Sequence, residues 1–297
     1  MAHFGHVLTA MISPFDKDGA LDLDGAKTLA KWLVANGNDG LVIAGTTGES
    51  PTLTHDEQIA LIEAVVDAVG KDTPVVAGAG SNDTRAAIEL TERATAAGAS
   101  GILSVTPYYN RPSQDGLLAH FRAVAGATDL PVMLYDIPGR TGRKVLTENL
   151  IALAQIPNVV ALKDAAGNPA ETAVVIANTP DDFEVYSGDD GLTLPLLAVG
   201  AVGVVGVATH WAGVETAQMV HAFMAGDVGE ATRINQRLLE SWDIETGDAR
   251  PNPIPSKCMM RLLGQPGGQC RLPMGPEPAE LEDQCRKVLS NLGRPGF

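Results

Sequence analysis

Val159-Val160-Ala161-Leu162-Lys163 is an uncharged run, rich in β-branched residues and closed by a lysine. Side chains alternate across a strand, so Val159, Ala161 and Lys163 are expected on one face. If that face looks into a barrel, the ammonium sits in a low dielectric. Burial disfavours the charged form and lowers the pKa. A neutral amine is a nucleophile of the kind that forms Schiff bases with carbonyl substrates. The plainer alternative is a lysine marking the strand's exit into solvent, since lysines are seldom buried. The remainder of the chain decides between the two.

Seven similar short apolar runs accompany it: His6–Phe15, Gly40–Gly45, Pro74–Gly80, Gly101–Pro107, Pro131–Ile137, Phe183–Asp189 and Gly203–Thr209. With Val159–Ala165 that makes eight. Segments of helical periodicity lie between them, such as Asp56–Val66 and Arg85–Thr91. Thr54 with Glu57 three positions on is a helix-start signature. Eight strands alternating with helices predict an α/β fold, a (β/α)8 TIM barrel, over residues 1–226. An open doubly wound sheet also alternates, but usually with fewer strands. The glycine-bearing stretch Gly45–Ser50 lacks the Lys-Ser/Thr ending of a phosphate loop. After Gly226 the alternation stops. Helices are expected over Asp227–Glu245, Ser256–Leu263 and Ala279–Leu292, with a proline-rich bend at Asp248–Pro255. Residues 227–297 therefore read as a C-terminal helical appendage packed on the barrel or on a neighbour.

The 297 residues carry a formal charge of −15, and aromatics are only 4%. Such an acidic surface, without a basic run, argues against nucleic acid and anionic membrane as partners. The amino terminus, Met1 to Gly5, has no basic region leading into a long apolar stretch, and no segment has the length of a membrane span. A cytoplasmic location is expected. Cys258, Cys270 and Cys285 are odd in number and lack a paired spacing, which argues against a disulfide framework or a zinc site. The six histidines, His3, His6, His55, His120, His210 and His221, show no paired ligand spacing, so no metal is expected.

In a TIM barrel the active site gathers where strands end. Strand two ends in Thr46-Thr47-Gly48-Glu49-Ser50, strand four in Pro107-Tyr108-Tyr109-Asn110-Arg111-Pro112, and strand five in Tyr135-Asp136-Ile137-Pro138-Gly139-Arg140-Thr141-Gly142. Three of the four tyrosines sit at these ends. Taken singly, Thr46-Thr47 suits a turn, Tyr108 and Tyr109 suit packing with a wet hydroxyl, and Arg140 suits a solvated loop. Tyr135 lies two residues after Met133 and shares its face, directed into the barrel. Arg140 has a second reading as a bidentate grip on a carboxylate. The joint placement on strand ends favours a site.

These stretches, with Leu162-Lys163-Asp164, Ser187-Gly188-Asp189-Asp190, Asn252–Lys257 and Arg271–Met274, resemble the pyruvate-dependent class I aldolase superfamily, and within it the dihydrodipicolinate synthase family. The resemblance runs in order along nearly the whole chain. It implies a Schiff base between Lys163 and pyruvate, with Thr46 and Thr47 on the pyruvate carboxylate. Tyr135 would be the main acid/base over Lys163. The Thr47 hydroxyl would link Tyr135 to Tyr109, which would complete a proton relay from a neighbouring subunit. Arg140 would hold the carboxylate of L-aspartate-4-semialdehyde, and Val205 would turn its carbonyl to the pyruvate. The implied assembly is a homotetramer, a dimer of dimers, serving lysine and diaminopimelate biosynthesis. No cofactor is needed, because the lysine is the electron sink. Sialic acid lyases and sugar-acid aldolases share the lysine and the strand-five tyrosine. A pyruvate-dependent aldolase or dehydratase acting on a sugar acid or another 2-oxo acid is therefore the alternative.

Two departures stand out. The family often has Asn where this chain has Asp136, which should point to the face opposite Tyr135 and have a modest effect. The feedback site for lysine resembles Ser50, Pro51, His55, Gln58, Asn82, Ala86 and Tyr108. A family histidine is Gln58 here, and the ligand-binding glutamate is Ala86. Loss of a carboxylate that pairs with an ammonium removes a strong contact, so weak or absent lysine inhibition is expected.

Overall fold

The computed structural model describes residues 2–297; Met1, part of the terminus read above, lies outside them. Eight parallel strands close into one barrel, each bonded to the next and the eighth to the first. They are β1 Val7–Ala10, β2 Gly40–Ile43, β3 Val75–Gly78, β4 Gly101–Val105, β5 Val132–Asp136, β6 Val159–Asp164, β7 Glu184–Ser187 and β8 Gly203–Gly206. Each falls inside a run picked out from the sequence. Helices α1 Leu23–Ala35, α2 His55–Val69, α3 Thr84–Ala96, α4 Gln114–Ala125, α5 Pro138–Thr141, α6 Thr147–Leu153, α7 Pro169–Ala177, α8 Thr193–Leu197 and α9 Thr209–Met224 fill the crossovers and follow β8. Three more, α10 Val228–Ile244, α11 Ile254–Leu262 and α12 Leu281–Asn291, form the C-terminal part.

The strand alternation sorts side chains into two layers. Leu8, Val42, Val76, Leu103, Met133, Tyr135, Ala161, Tyr186 and Val205 fill the barrel, with Phe4 among them. Leu41, Ile43, Val75, Ile102, Leu134, Leu162 and Val185 face outward onto the helices. Ile234 and Leu238 of α10, Met259 of α11 and Leu281 and Leu289 of α12 belong to that same outer core. The appendage is thus packed on the barrel. Fully burying a Leu or Ile contributes about 1.5–3 kcal/mol, so these contacts alone hold it firmly.

One expectation fails within β6. The pairing with β5 shifts between Val132 and Met133, so Val132 meets Val159 while Met133 meets Ala161. Val160 is the extra residue. Val159 consequently joins the outer core, and Val160 packs with the barrel interior beside Ala161. A bulge reverses the alternation on one side of itself, so Val159 does not share the face of Ala161 and Lys163. The helix starts conform better. The Thr54 Oγ1 accepts the Glu57 N–H at 3.2 Å and Glu57 Oε2 accepts the Thr54 N–H at 2.8 Å, a capping box opening α2. No helix among the described residues is long and apolar enough to cross a membrane, and Cys258, Cys270 and Cys285 are free thiols.

Candidate active site

Tyr135 and Lys163 are register partners on adjacent strands near the carboxyl end of the barrel. In-register residues of a parallel pair point the same way, so both side chains enter the interior. The Lys163 ammonium lies 4.3 Å from the centre of the Tyr135 ring. Lys163 is only 5% exposed. Burial lowers its pKa to about 8; Asp190 and Glu245 oppose the fall and Arg140 adds to it. A minor but appreciable fraction of this amine is therefore neutral near pH 7, and Lys163 is buried in the barrel rather than marking the strand's exit into solvent. Gly188 makes room for it: a Cβ there would stand 3.0 Å from Lys163 Cγ and 3.1 Å from Cε.

Burial drives the Tyr135 hydroxyl well above the ordinary tyrosine range, with Arg140 and a hydrogen bond to Thr46 pulling back. Tyr135 therefore stays protonated, available to donate. Thr46, Tyr108, Tyr135, Arg140 and Thr141 line a cavity of about 110 Å³ together with Ala44, Gly45 and Leu103. Arg140, in α5, is exposed. Its position in that wall and its influence on both Tyr135 and Lys163 put a guanidinium at the mouth.

Thr47 is buried, and its Oγ1 accepts a hydrogen bond at 2.9 Å from Asn252 Nδ2 in the loop between α10 and α11. That leaves the Thr47 hydroxyl proton free to point elsewhere. Within this chain it is thus Thr46 that engages Tyr135, while Thr47 is held by Asn252. Val205, in the middle of β8, is fully buried in the barrel. Tyr109 is the residue the single chain does not bring to the site. It is 90% exposed, with a left-handed φ of 73°. That backbone turns it outward where Tyr108 folds inward.

Sequence reasoning overlooked the support beneath the Thr46-Thr47 turn. Glu49, with a φ of 55°, aims its buried carboxylate at the appendage. Its Oε1 forms an ion pair with Lys257 Nζ at 2.5 Å, and its Oε2 accepts the Arg271 N–H at 2.9 Å. Lys257 is fully buried, donates to Gln269 O at 3.0 Å and sits 4.0 Å from the centre of the Phe15 ring. Arg271 adds a bidentate pair with Glu57, at 3.0 and 2.6 Å, which draws the Glu57 carboxyl down to about 2. The motif stretches Asn252–Lys257 and Arg271–Met274 were the available signal, but only contact shows what they hold.

Asp136, next to Tyr135, points away from the cavity as expected. Its carboxylate accepts the Val145 N–H at 3.2 Å and lies 3.8 Å from Lys144 Nζ. Burial raises it to about 6. Among the described residues no group of three or more His, Cys, Asp or Glu side chains is arranged as a metal site.

A (β/α)8 barrel with a partly neutral lysine at the carboxyl end of its sixth strand, under a protonated tyrosine, places the chain among the lysine-bearing barrel lyases. The chain matches the Dihydrodipicolinate synthetase family over residues 3–292, and it belongs to that family. It is 54% identical over 293 residues to a 4-hydroxy-tetrahydrodipicolinate synthase of Acidothermus cellulolyticus, covering 98% of this chain and 94% of the relative. Among solved structures, a synthase of this family from Cyanidioschyzon merolae with lysine bound superposes with a TM-score of 0.95 at 46% identity, over 99% of both chains. One from Bacillus anthracis superposes with a TM-score of 0.94 at 44% identity, over 98% of this chain and 99% of its own.

Proposed function

We infer that this chain condenses pyruvate with L-aspartate-4-semialdehyde to 4-hydroxy-tetrahydrodipicolinate, a lyase step of lysine and diaminopimelate biosynthesis, through a Schiff base on Lys163. The observation that carries the mechanism is the lowered Lys163 pKa beneath the Tyr135 ring. The neutral amine adds to the pyruvate carbonyl, and the carbinolamine loses water to give an iminium. Tyr135 supplies the proton that lets the hydroxyl leave. The iminium acidifies the pyruvate methyl group; loss of a proton gives an enamine, whose carbon attacks the aldehyde. The amino group of the semialdehyde then adds to the imine carbon. Lys163 departs with a returned proton, and the ring closes.

In this reading Thr46 and Thr47 hold the pyruvate carboxylate, Val205 faces the bound pyruvate, and Arg140 grips the carboxylate of the semialdehyde. Tyr109, exposed in the single chain, enters a neighbour's site and completes a relay to Thr47 in a homotetramer. The barrel of residues 1–226 carries the reacting groups, and residues 227–297 carry their supports. The cytoplasm is the compartment that suits such a biosynthetic step. A sugar-acid or other 2-oxo-acid aldolase is disfavoured by relatives that are named 4-hydroxy-tetrahydrodipicolinate synthase at 47–54% identity. Borohydride reduction in the presence of pyruvate, followed by peptide mass mapping, tests the mechanism. A trapped adduct on Lys163 is expected; trapping elsewhere, or none, overturns it.

A further inference from the structure

Lys163 has neighbours that the condensation chemistry leaves unused. Asp190 opens a short 3-10 turn, Asp190–Leu192, just after β7 and is 2% exposed. Its Oδ2 accepts the Val207 N–H at 2.7 Å. Val207 is also held at its carbonyl, because Val207 O accepts from His210 Nδ1 at 2.7 Å while His210 Nε2 accepts the Ile12 N–H at 3.1 Å. Burial pushes His210 down to about 4, so it remains a neutral ring with one donor and one acceptor. Gly206 lets Asp190 come this close: a Cβ there would lie 2.6 Å from Asp190 Oδ1.

The other Asp190 oxygen, Oδ1, is buried without a hydrogen-bond partner. So is Oε2 of Glu245, which follows the last turn of α10. Glu245 as a residue is half-buried, but that oxygen is closed off from solvent. The two side chains lie close enough to influence one another; each orphaned oxygen is costly alone, whereas one proton shared between the carboxyls would satisfy both. We propose that Glu245 keeps its proton and donates it in a hydrogen bond to Asp190, so that the pair presents a single negative charge to Lys163 and positions its ammonium beneath Tyr135.

The charged groups around Lys163 agree. They are Asp190 from the β7 loop, Glu245 from α10 and Arg140 from α5, with the Tyr135 ring from β5. Asp189, whose carboxylate caps Gly191 N, also faces both acids. Burial raises both the Asp190 and Glu245 carboxyls, but the Val207 N–H that Asp190 Oδ2 accepts favours the ionised form of Asp190, which leaves the shared proton on Glu245. Two full charges would hold Lys163 as a cation too firmly to react. No charge would leave burial and Arg140 unopposed, and the amine would be misplaced as well as neutral. One charge accounts for an amine poised near neutrality. Glu245 and Asp190 are thus positioning residues that act through Lys163.

The inference rests on Lys163 being the nucleophile, and the test separates the two. The pH dependence of pyruvate-dependent borohydride trapping is followed in Asp190→Asn, Glu245→Gln and Glu245→Ala. Removing the Asp190 charge should move the acidic limb of the profile down by about one pH unit. Glu245→Gln keeps a donor and the same net charge, so its limb should stay within a few tenths of the wild type. Glu245→Ala should shift the limb upward, because an unshared Asp190 charge then faces Lys163 alone. A Glu245→Gln limb that falls as far as that of Asp190→Asn would show Glu245 to be ionised and overturn the proposal. Infrared spectroscopy at pH 8, where Asp136 is ionised, gives a reading free of kinetics and of the Asp190 variants' folding. A carbonyl stretch of a neutral carboxylic acid should be present in the wild type and absent in Glu245→Gln. Its absence from the wild type would sink the shared proton whatever Lys163 does. Loss of trapping in the wild type would sink the Schiff base and leave the infrared result standing.

Discussion

Replacing Lys257 by methionine probes the clamp under the Thr46-Thr47 turn. Methionine keeps the length of the stem and its packing on Phe15, but it removes the ammonium from Glu49 and the donor from Gln269 O. Lys257 is fully buried and Glu49 3% exposed. The carboxylate left behind keeps only the Arg271 N–H. Removing one partner of a buried ion pair costs about 3–5 kcal/mol, because the survivor's charge is uncompensated. With an unfolding entropy of roughly 2 cal/mol/K per residue, a chain of 297 residues should lose about 5–8 °C in Tm. Adding Glu49→Gln removes the stranded charge while leaving an oxygen for Arg271 N, so the double variant should recover more than half of the loss. Calorimetry on the wild type, both single variants and the double variant measures the coupling. Pyruvate KM should rise in Lys257→Met, since the turn proposed to bind the carboxylate adjoins Glu49. A loss below about 1 kcal/mol for Lys257→Met would refute the desolvated-pair argument, as would a double variant less stable than Lys257→Met alone.

Three further outcomes follow from the same geometry. Asp136 has its carboxyl raised from 3.8 to about 6 by burial, so the fold favours its neutral form. Its contribution is fully present below pH 3.8 and lost as pH rises through 6, by at most about 3 kcal/mol. The Tm of Asp136→Asn relative to the wild type should therefore climb between pH 4.5 and 6.5 and level off above. A difference that is flat with pH would show that the group is not buried as described. Arg140→Ala should lower kcat/KM for the semialdehyde by about 10–100-fold, and Arg140→Lys should recover only part, because a lysine cannot make the bidentate grip. An unchanged semialdehyde KM in Arg140→Ala would remove Arg140 from substrate binding. Lysine should inhibit weakly or not at all: Ala86 offers no carboxylate to its ammonium, and the Gln58 amide is spent on Ser50 O at 3.0 Å. A micromolar inhibition constant would contradict this.

Much of the barrel was legible because each strand is an apolar run set off by Gly, Pro or a polar turn, and burial on both faces leaves little room for charge. Lys163 and Tyr135 were legible for the same reason: a polar group ending an oily strand has few places to point. The bulge at Val160 was not, since an inserted residue carries no mark in a run of Val-Val-Ala. That the backbone turns Tyr109 to solvent within its own chain was not legible, for position at a strand end says nothing of it. Asn252, Lys257 and Glu245 stayed silent because their partners are distant in sequence; Thr47 and Asn252 stand 205 residues apart. A buried amide or carboxyl has meaning only through what it meets, and local periodicity does not carry that.

The support that the last helices give the mouth has a consequence for how the protein comes into being. A ribosome completes β8 at Gly206, and from then on every strand needed for the barrel exists. Yet the partners that the C-terminal part supplies to Asp190, Thr47 and Glu49 arrive only with Glu245, Asn252 and Lys257. A nascent or prematurely ended chain can therefore own every reacting side chain and still be inert. Competence should come only with the final fifth of synthesis, and damage to that tail should silence a barrel that is otherwise whole.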